Sequence, residues 1–129
     1  MKRYTLEEVF KHVPDPTPES ASITNYGNRH RVKVDFDGDM IKVSSDRLVL
    51  FKSKGVKCVT CGLEGKFFMK KKTEGDKSPH FNLYAIGEDG KKVLMTKDHI
   101  HPKSLGGKDC LNNYQPMCTK CNSAKGNTV

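Results

Sequence analysis

The sequence predicts a small α+β fold made of two unlike parts and held together by a staple. Three observations lead there: stretches of alternating apolar and polar residues between turn signals, short helical stretches bounded by Pro or Gly, and an apolar fraction of only 35% with no Trp in 129 residues. That fraction is low for a chain that must bury its own core. Lys and Arg number 23 against 15 Asp and Glu, a formal net charge of +8. Residues 1–50 hold eight basic and eight acidic side chains, so the whole excess lies in residues 51–129. We read 1–50 as an N-terminal extension and 51–129 as the functional domain. No apolar run exceeds the four residues Leu48 to Phe51, far short of the roughly 18 that a transmembrane helix needs. Charges also interrupt MKRYTLEEVFKH where a signal peptide would be apolar. The expected setting is a reducing compartment, with no membrane insertion.

The elements follow in order. TLEEVFKH reads as a short helix that ends at Pro14, Pro16 and Pro18, which cannot continue it. Alternation through Arg31 to Phe36, the Asp37-Gly38 turn signal and Met40 to Val43 predict a hairpin with one apolar face. Ser44 or Ser45 then caps a helix, DRLVLFKSK, that stops at Gly55. A second hairpin joins His80 to Ile86 with Lys91 to Thr96 through Gly87-Glu88-Asp89-Gly90, and Thr96-Lys97-Asp98-His99 ends its second strand. Residues 102–116 read as a Gly, Asn and Pro loop, and a short helix is expected from Thr119 to Lys125.

Cys58-Val-Thr-Cys61 and Cys118-Thr-Lys-Cys121 are two C-x-x-C knuckles. Two residues between thiolates let both sulfurs meet one ion, and two such pairs complete a tetrahedral four-cysteine zinc site. Such a closed site leaves no position for water, so the Zn²⁺ is structural and is the staple that the composition requires. An odd count of five cysteines in a reducing setting argues against a disulfide framework. Cys110 has no partner at ligand spacing and reads as a free loop thiol or a small buried side chain.

Between and after the knuckles run Asp98-His99-Ile100-His101-Pro102, then Gly106-Gly107, then Asn113-Tyr-Gln-Pro-Met-Cys118-Thr-Lys-Cys121-Asn122-Ser-Ala-Lys125-Gly126. These D-H-I-x-P, G-G, N-x4-C-x-x-C and N-x-x-K-G elements, in that order, resemble the HNH endonucleases of the His-Me finger superfamily, and in particular small phage-type members that bind a four-cysteine zinc. With the first knuckle the resemblance spans about residues 54–129. It implies a ββα-metal core stapled by the zinc site, with the N-terminal helix and hairpin as an extension that matches nothing in the pattern.

The residue types suit the chemistry on their own terms. Phosphodiester hydrolysis needs a base for water and a cation for the phosphate and the departing oxygen. His99 is the natural base, because neutral imidazole accepts a proton near pH 7. Asp98 and Asn122 offer two hard oxygens, which with waters suit Mg²⁺ or Mn²⁺. The resemblance implies that Asp98 and Asn122 ligate this ion, that His99 is the general base, and that Asn113 holds the loop that orients His99. It also implies DNA as substrate, 5′-phosphate and 3′-hydroxyl products, and a phage-encoded protein working in bacterial cytoplasm. One such site cuts one strand, so paired cuts need a homodimer or two binding events.

Lys66, Lys70, Lys71, Lys72 and Lys77 are expected to form a cationic loop that contacts DNA phosphates together with Lys97, Lys103, Lys120 and Lys125. His101 is open between a phosphate contact and a loop-filling role, His80 reads as a strand histidine, and His12 and His30 have structural readings only. Two rivals stand beside the nuclease: a non-catalytic zinc-dependent nucleic-acid-binding module, which gives no reason for Asp98, His99 and Asn122 together, and a nuclease subunit active only within a larger phage or restriction assembly.

Overall fold

The computed structural model describes residues 1–126; the last three residues of the 51–129 segment lie outside the described residues. The chain begins with α1 (Leu6–Phe10), which Thr5 opens with a reciprocal cap: its hydroxyl accepts from the Glu8 amide and the Glu8 carboxylate accepts from the Thr5 amide. Within the Pro-rich stretch Thr17 caps a single turn, α2 (Pro18–Ala21), with Pro at the position where a missing N–H costs nothing. A further turn, α3 (Tyr26–Arg29), leads into β1 (Lys33–Phe36) and β2 (Asp39–Lys42). Asp37 and Gly38 both have positive φ, 52° and 95°, which is the two-residue turn that matches strand twist.

Ser45, not Ser44, caps α4 (Asp46–Lys54). The Ser44 hydroxyl is buried and accepts from the Val32 amide, tying the hairpin to the helix start. The apolar run Leu48 to Phe51 is buried along its whole length, and α4 packs on the far strands of the main sheet. That sheet is antiparallel with order β3 (Phe67–Lys71), β4 (His80–Ile86), β5 (Lys92–His99), β6 (Tyr114–Cys118). The helix α5 (Thr119–Lys125) follows β6 directly and packs back on β5 and β6.

Two expectations are corrected. Residues 66–72 are not a cationic loop: Phe67, Phe68 and Met69 are buried and build an edge strand, from which the lysine run emerges. The loop assigned to 102–116 ends early, because β5 runs on to His99 and pairs with Tyr114, so that β6 includes Gln115 and Pro116. Pro116 is tolerated on this outermost strand, where its carbonyl still accepts from the Val59 amide. The core is one cluster, drawing Val9, Ile41 and Leu50 from the first fifty residues and Phe68, Leu83, Met95 and Tyr114 from the rest. No described helix is long and apolar enough to cross a membrane.

Candidate active site and metal centre

The first knuckle is a tight turn in which the Cys58 amide donates to Leu63 O and the Gly62 amide to Cys58 O, and the Val59 amide docks it on β6. β6 in turn delivers Cys118 to the start of α5 and Cys121 one turn along it. The four sulfurs of Cys58, Cys61, Cys118 and Cys121 lie within 4.8 Å of one another. Cys61 and Cys118 are 3.8 Å apart, the S···S spacing that zinc–sulfur bonds of about 2.3 Å demand of a tetrahedron. All four are free thiols, with no disulfide. Burial opposes ionisation of Cys58, but amides of Cys61, Cys118 and Thr60 directed at its sulfur outweigh it and bring the thiol down to about 6. Cys121 is pushed up to about 12 by its hydrogen bond with Cys118 and by burial. Four thiolates this close repel one another, and a dication is what lets all four ionise, so the residues fit a metal. The fifth, Cys110, is buried and takes no part.

Alternation along a strand sends Asp98 and His99 to opposite faces at the end of β5. Asp98 is only 6% exposed and faces α5; its Oδ2 accepts from Lys125 Nζ at 2.6 Å and from Gln115 Nε2 at 2.9 Å. Asn122 lies on the same face, its amide nitrogen donating to Thr96 Oγ1 at 2.8 Å. Neither Asp98 Oδ1 nor the Asn122 carbonyl oxygen accepts a hydrogen bond among the described residues. Two open oxygens, one anionic, are the donor set a hard divalent cation takes.

His99 turns toward the 102–113 loop. Its Nε2 is 2.7 Å from Asp109 Oδ1, and the other Asp109 oxygen accepts from Lys103 Nζ at 2.9 Å. These two partners hold Asp109 down at about 2. Tyr114 packs edge-on against the imidazole at 5.0 Å. An imidazole whose Nε2 faces a carboxylate carries its proton there, which leaves the lone pair on Nδ1. Asn113 clamps the loop: its Oδ1 accepts from the His101 amide, and its Nδ2 donates to the carbonyls of His101 and Lys108. Gly107 is required for the same turn, since a Cβ there would fall on the His101 carbonyl oxygen.

Asp98, His99, Lys103 and Asn122 line one cavity of about 220 Å³. A larger cavity of about 590 Å³ adjoins the cysteines and the Gly87–Asp89 turn, but the smaller one holds the groups able to move protons and bind cations. Residues 87–129 match the family model for HNH endonuclease. The matched HNH segment runs from the β4–β5 turn to the chain end and so contains Asp98, His99, Asn113, Asn122 and the second knuckle, while the first knuckle lies outside it. No curated protein and no solved structure matches the chain.

Other site expectations are placed as follows. Lys125 sits on Asp98 and also donates to His99 O, so it belongs to the site and not to an outer surface. Lys70 spans to Asp39 and Phe36 O, tying β3 to the hairpin with its side chain only 19% exposed, and is not directed at a ligand. Lys71, Lys72 and Lys120 are exposed. The His101 ring bonds Leu105 O, within its own loop. His80 faces Asp76 and lies away from the cavity. Asp109 and Gln115 are site residues that the sequence reading missed. The signal for Asp109 was its place in the Gly-Gly-Lys-Asp run, which only a folded loop turns toward His99.

Proposed function

We propose that this protein is a divalent-metal-dependent endonuclease that hydrolyses DNA phosphodiester bonds and leaves 5′-phosphate and 3′-hydroxyl ends. The observation that supports this best is the His99 imidazole, held by the Asp109 carboxylate through Nε2 with no hydrogen bond to Nδ1 among the described residues, beside Asp98 and Asn122 in one cavity. His99 Nδ1 takes the proton of the attacking water, and Asp109 steadies the imidazolium that results. Asp98 Oδ1 and the Asn122 carbonyl would hold Mg²⁺ or Mn²⁺, which when bound neutralises charge on the phosphate and the departing oxygen. Lys125 balances the second Asp98 oxygen, and Lys103 does the same for Asp109. Cys58, Cys61, Cys118 and Cys121 would hold a structural zinc, which when bound would fix α5, and with it Asn122, against β5. Exposed Lys71, Lys72 and Lys120, which lie outside this cavity, would add phosphate contacts without base reading.

The test is a supercoiled-plasmid assay with Mg²⁺ or Mn²⁺, comparing the parent protein with His99→Ala. Nicked circles are expected from a monomer and linear product from paired cuts, with a rate loss on the order of 100-fold or more for His99→Ala. DNA binding without cleavage under either ion would replace the nuclease by a non-catalytic binding module. Normal cleavage by His99→Ala would remove that residue from the chemistry.

A further inference from the structure

A further cavity of about 240 Å³ shares Lys97 with the cavity of Asp98 and His99 and is walled by both halves of the chain. Residues from before α4 supply Asn25, Asn28 and Lys42, the first turn of α4 supplies Asp46 and Arg47, and β5 supplies Lys97, which also lines the cavity of Asp98 and His99. The charges do not balance. Asp46, which is the carboxylate on this wall, accepts from the Gly27 amide at 2.8 Å. Against it stand three cations whose hydrogen-bond and ring partners are neutral: Lys42 on Asn28 Oδ1, Arg47 on Asn82 Oδ1 and Phe81 O, and Lys97 over the Tyr114 ring at 4.3 Å, with Asp46 and Asp109 acting on Lys97 only through their longer-range field. Arg47 and Lys97 are half-buried, so two like charges share a partly desolvated space whose cost their neutral contacts and the nearby carboxylates offset only in part. An anion in the cavity would offset the cost, and a phosphodiester fits best, with a delocalised charge and oxygens that can meet Arg47 and Lys97 together.

We propose that this cavity is a subsite for a backbone phosphodiester of the bound DNA strand, next to the one that is cleaved. The inference rests on the nuclease reading and extends it by giving residues 25–47 a role: they grip the backbone and set the strand's register over His99 without reading bases. Lys97 links the two cavities, so a strand lying in both passes from Arg47 and Lys42 to the catalytic groups.

The experiment measures binding of a short mixed-sequence DNA duplex by the full-length, zinc-loaded His99→Ala protein, without added magnesium, across a salt series. Lys97→Gln, which keeps a stem over Tyr114, should weaken binding about ten-fold and reduce the slope of log Kd against log salt by about one. Lys42→Gln, at the exposed rim, should act in the same direction, and it carries the test if Lys97→Gln melts early. Lys91→Gln removes the same charge from the distant β4–β5 turn and should leave the slope unchanged. Slopes for Lys97→Gln and Lys42→Gln equal to that of Lys91→Gln or of the parent would overturn the subsite. If the native protein nicks plasmid and the slopes still do not move, the subsite falls and the nuclease stands; if it neither binds nor nicks, both fall.

Discussion

At the scale of single residues, the site depends on hydrogen bonds that only a particular loop conformation allows. Asp109 meets His99 because Asn113 pins the His101 and Lys108 backbone and Gly107 leaves room for the His101 carbonyl. Replacing Asp109 by Asn keeps the shape and removes the charge. We expect a fall in kcat on the order of 10- to 100-fold with KM nearly unchanged, because a positioning carboxylate acts on the proton transfer and not on substrate contact; steady-state cleavage of a labelled duplex measures both. Gly107→Ala should lose comparable activity by displacing the loop, with zinc content unaltered. Asp109 is also a reporter of acid behaviour. The hydrogen bonds from His99 and Lys103 hold its pKa below the ordinary carboxylate value, so these contacts stabilise the fold above about pH 4 and lose that contribution as pH falls toward 2. Urea unfolding of parent and Asp109→Asn should therefore differ most near neutrality, and the difference should narrow over that acid window.

At the scale of elements, β6 and α5 form one continuous device in which Cys118 ends a strand and Cys121 and Asn122 sit side by side on the helix that follows. Adjacent helical residues point about 100° apart, so one turn serves the four-cysteine centre on one side and the Asp98 cavity on the other. A helix of seven residues is too short to hold itself in water, so α5 depends on its packing against β5 and β6, to which an ion on the four cysteines would add. Cys121→Ser, or zinc removal by a strong chelator, should abolish cleavage and lower the melting temperature together, and adding magnesium alone should not restore activity. Retained cleavage after verified loss of zinc would separate the two centres. Much of this level was legible from local chemistry. The Thr5 cap, the Asp37-Gly38 turn, the Ser45 start of α4 and both knuckles rest on residues whose conformational preferences act over three or four positions. β3 was not legible, since Phe67 to Met69 followed by three lysines has no alternation, and its strand form comes from pairing with β4.

For the whole molecule, the neutral first fifty residues and the basic remainder share one core. Ten of the buried apolar side chains lie in residues 1–50. Removing them would strip a large share of the common core and expose the apolar face of the sheet that they cover. A chain truncated to 51–129 is therefore expected to lose cooperative unfolding, checked by thermal circular dichroism, even when loaded with zinc. A sharp, parent-like transition in that fragment would show that the extension is a separate appendage.

Sequence alone determined the chemistry available to this protein: which cysteines can share an ion, which Asp, His and Asn stand together in an HNH pattern, and where the strands and helices begin. Those features depend on short spacings and on the intrinsic geometry of a few residues. Tertiary structure alone decided which charges are used up and which face a ligand. Lys70, Lys103 and Lys125 are drawn onto Asp39, Asp109 and Asp98, whereas Arg47 and Lys97, far apart in the chain, line one cavity without a direct ion pair among the described residues. Charge pairing depends on distance in space, and that distance exists only once the two halves have buried their common core.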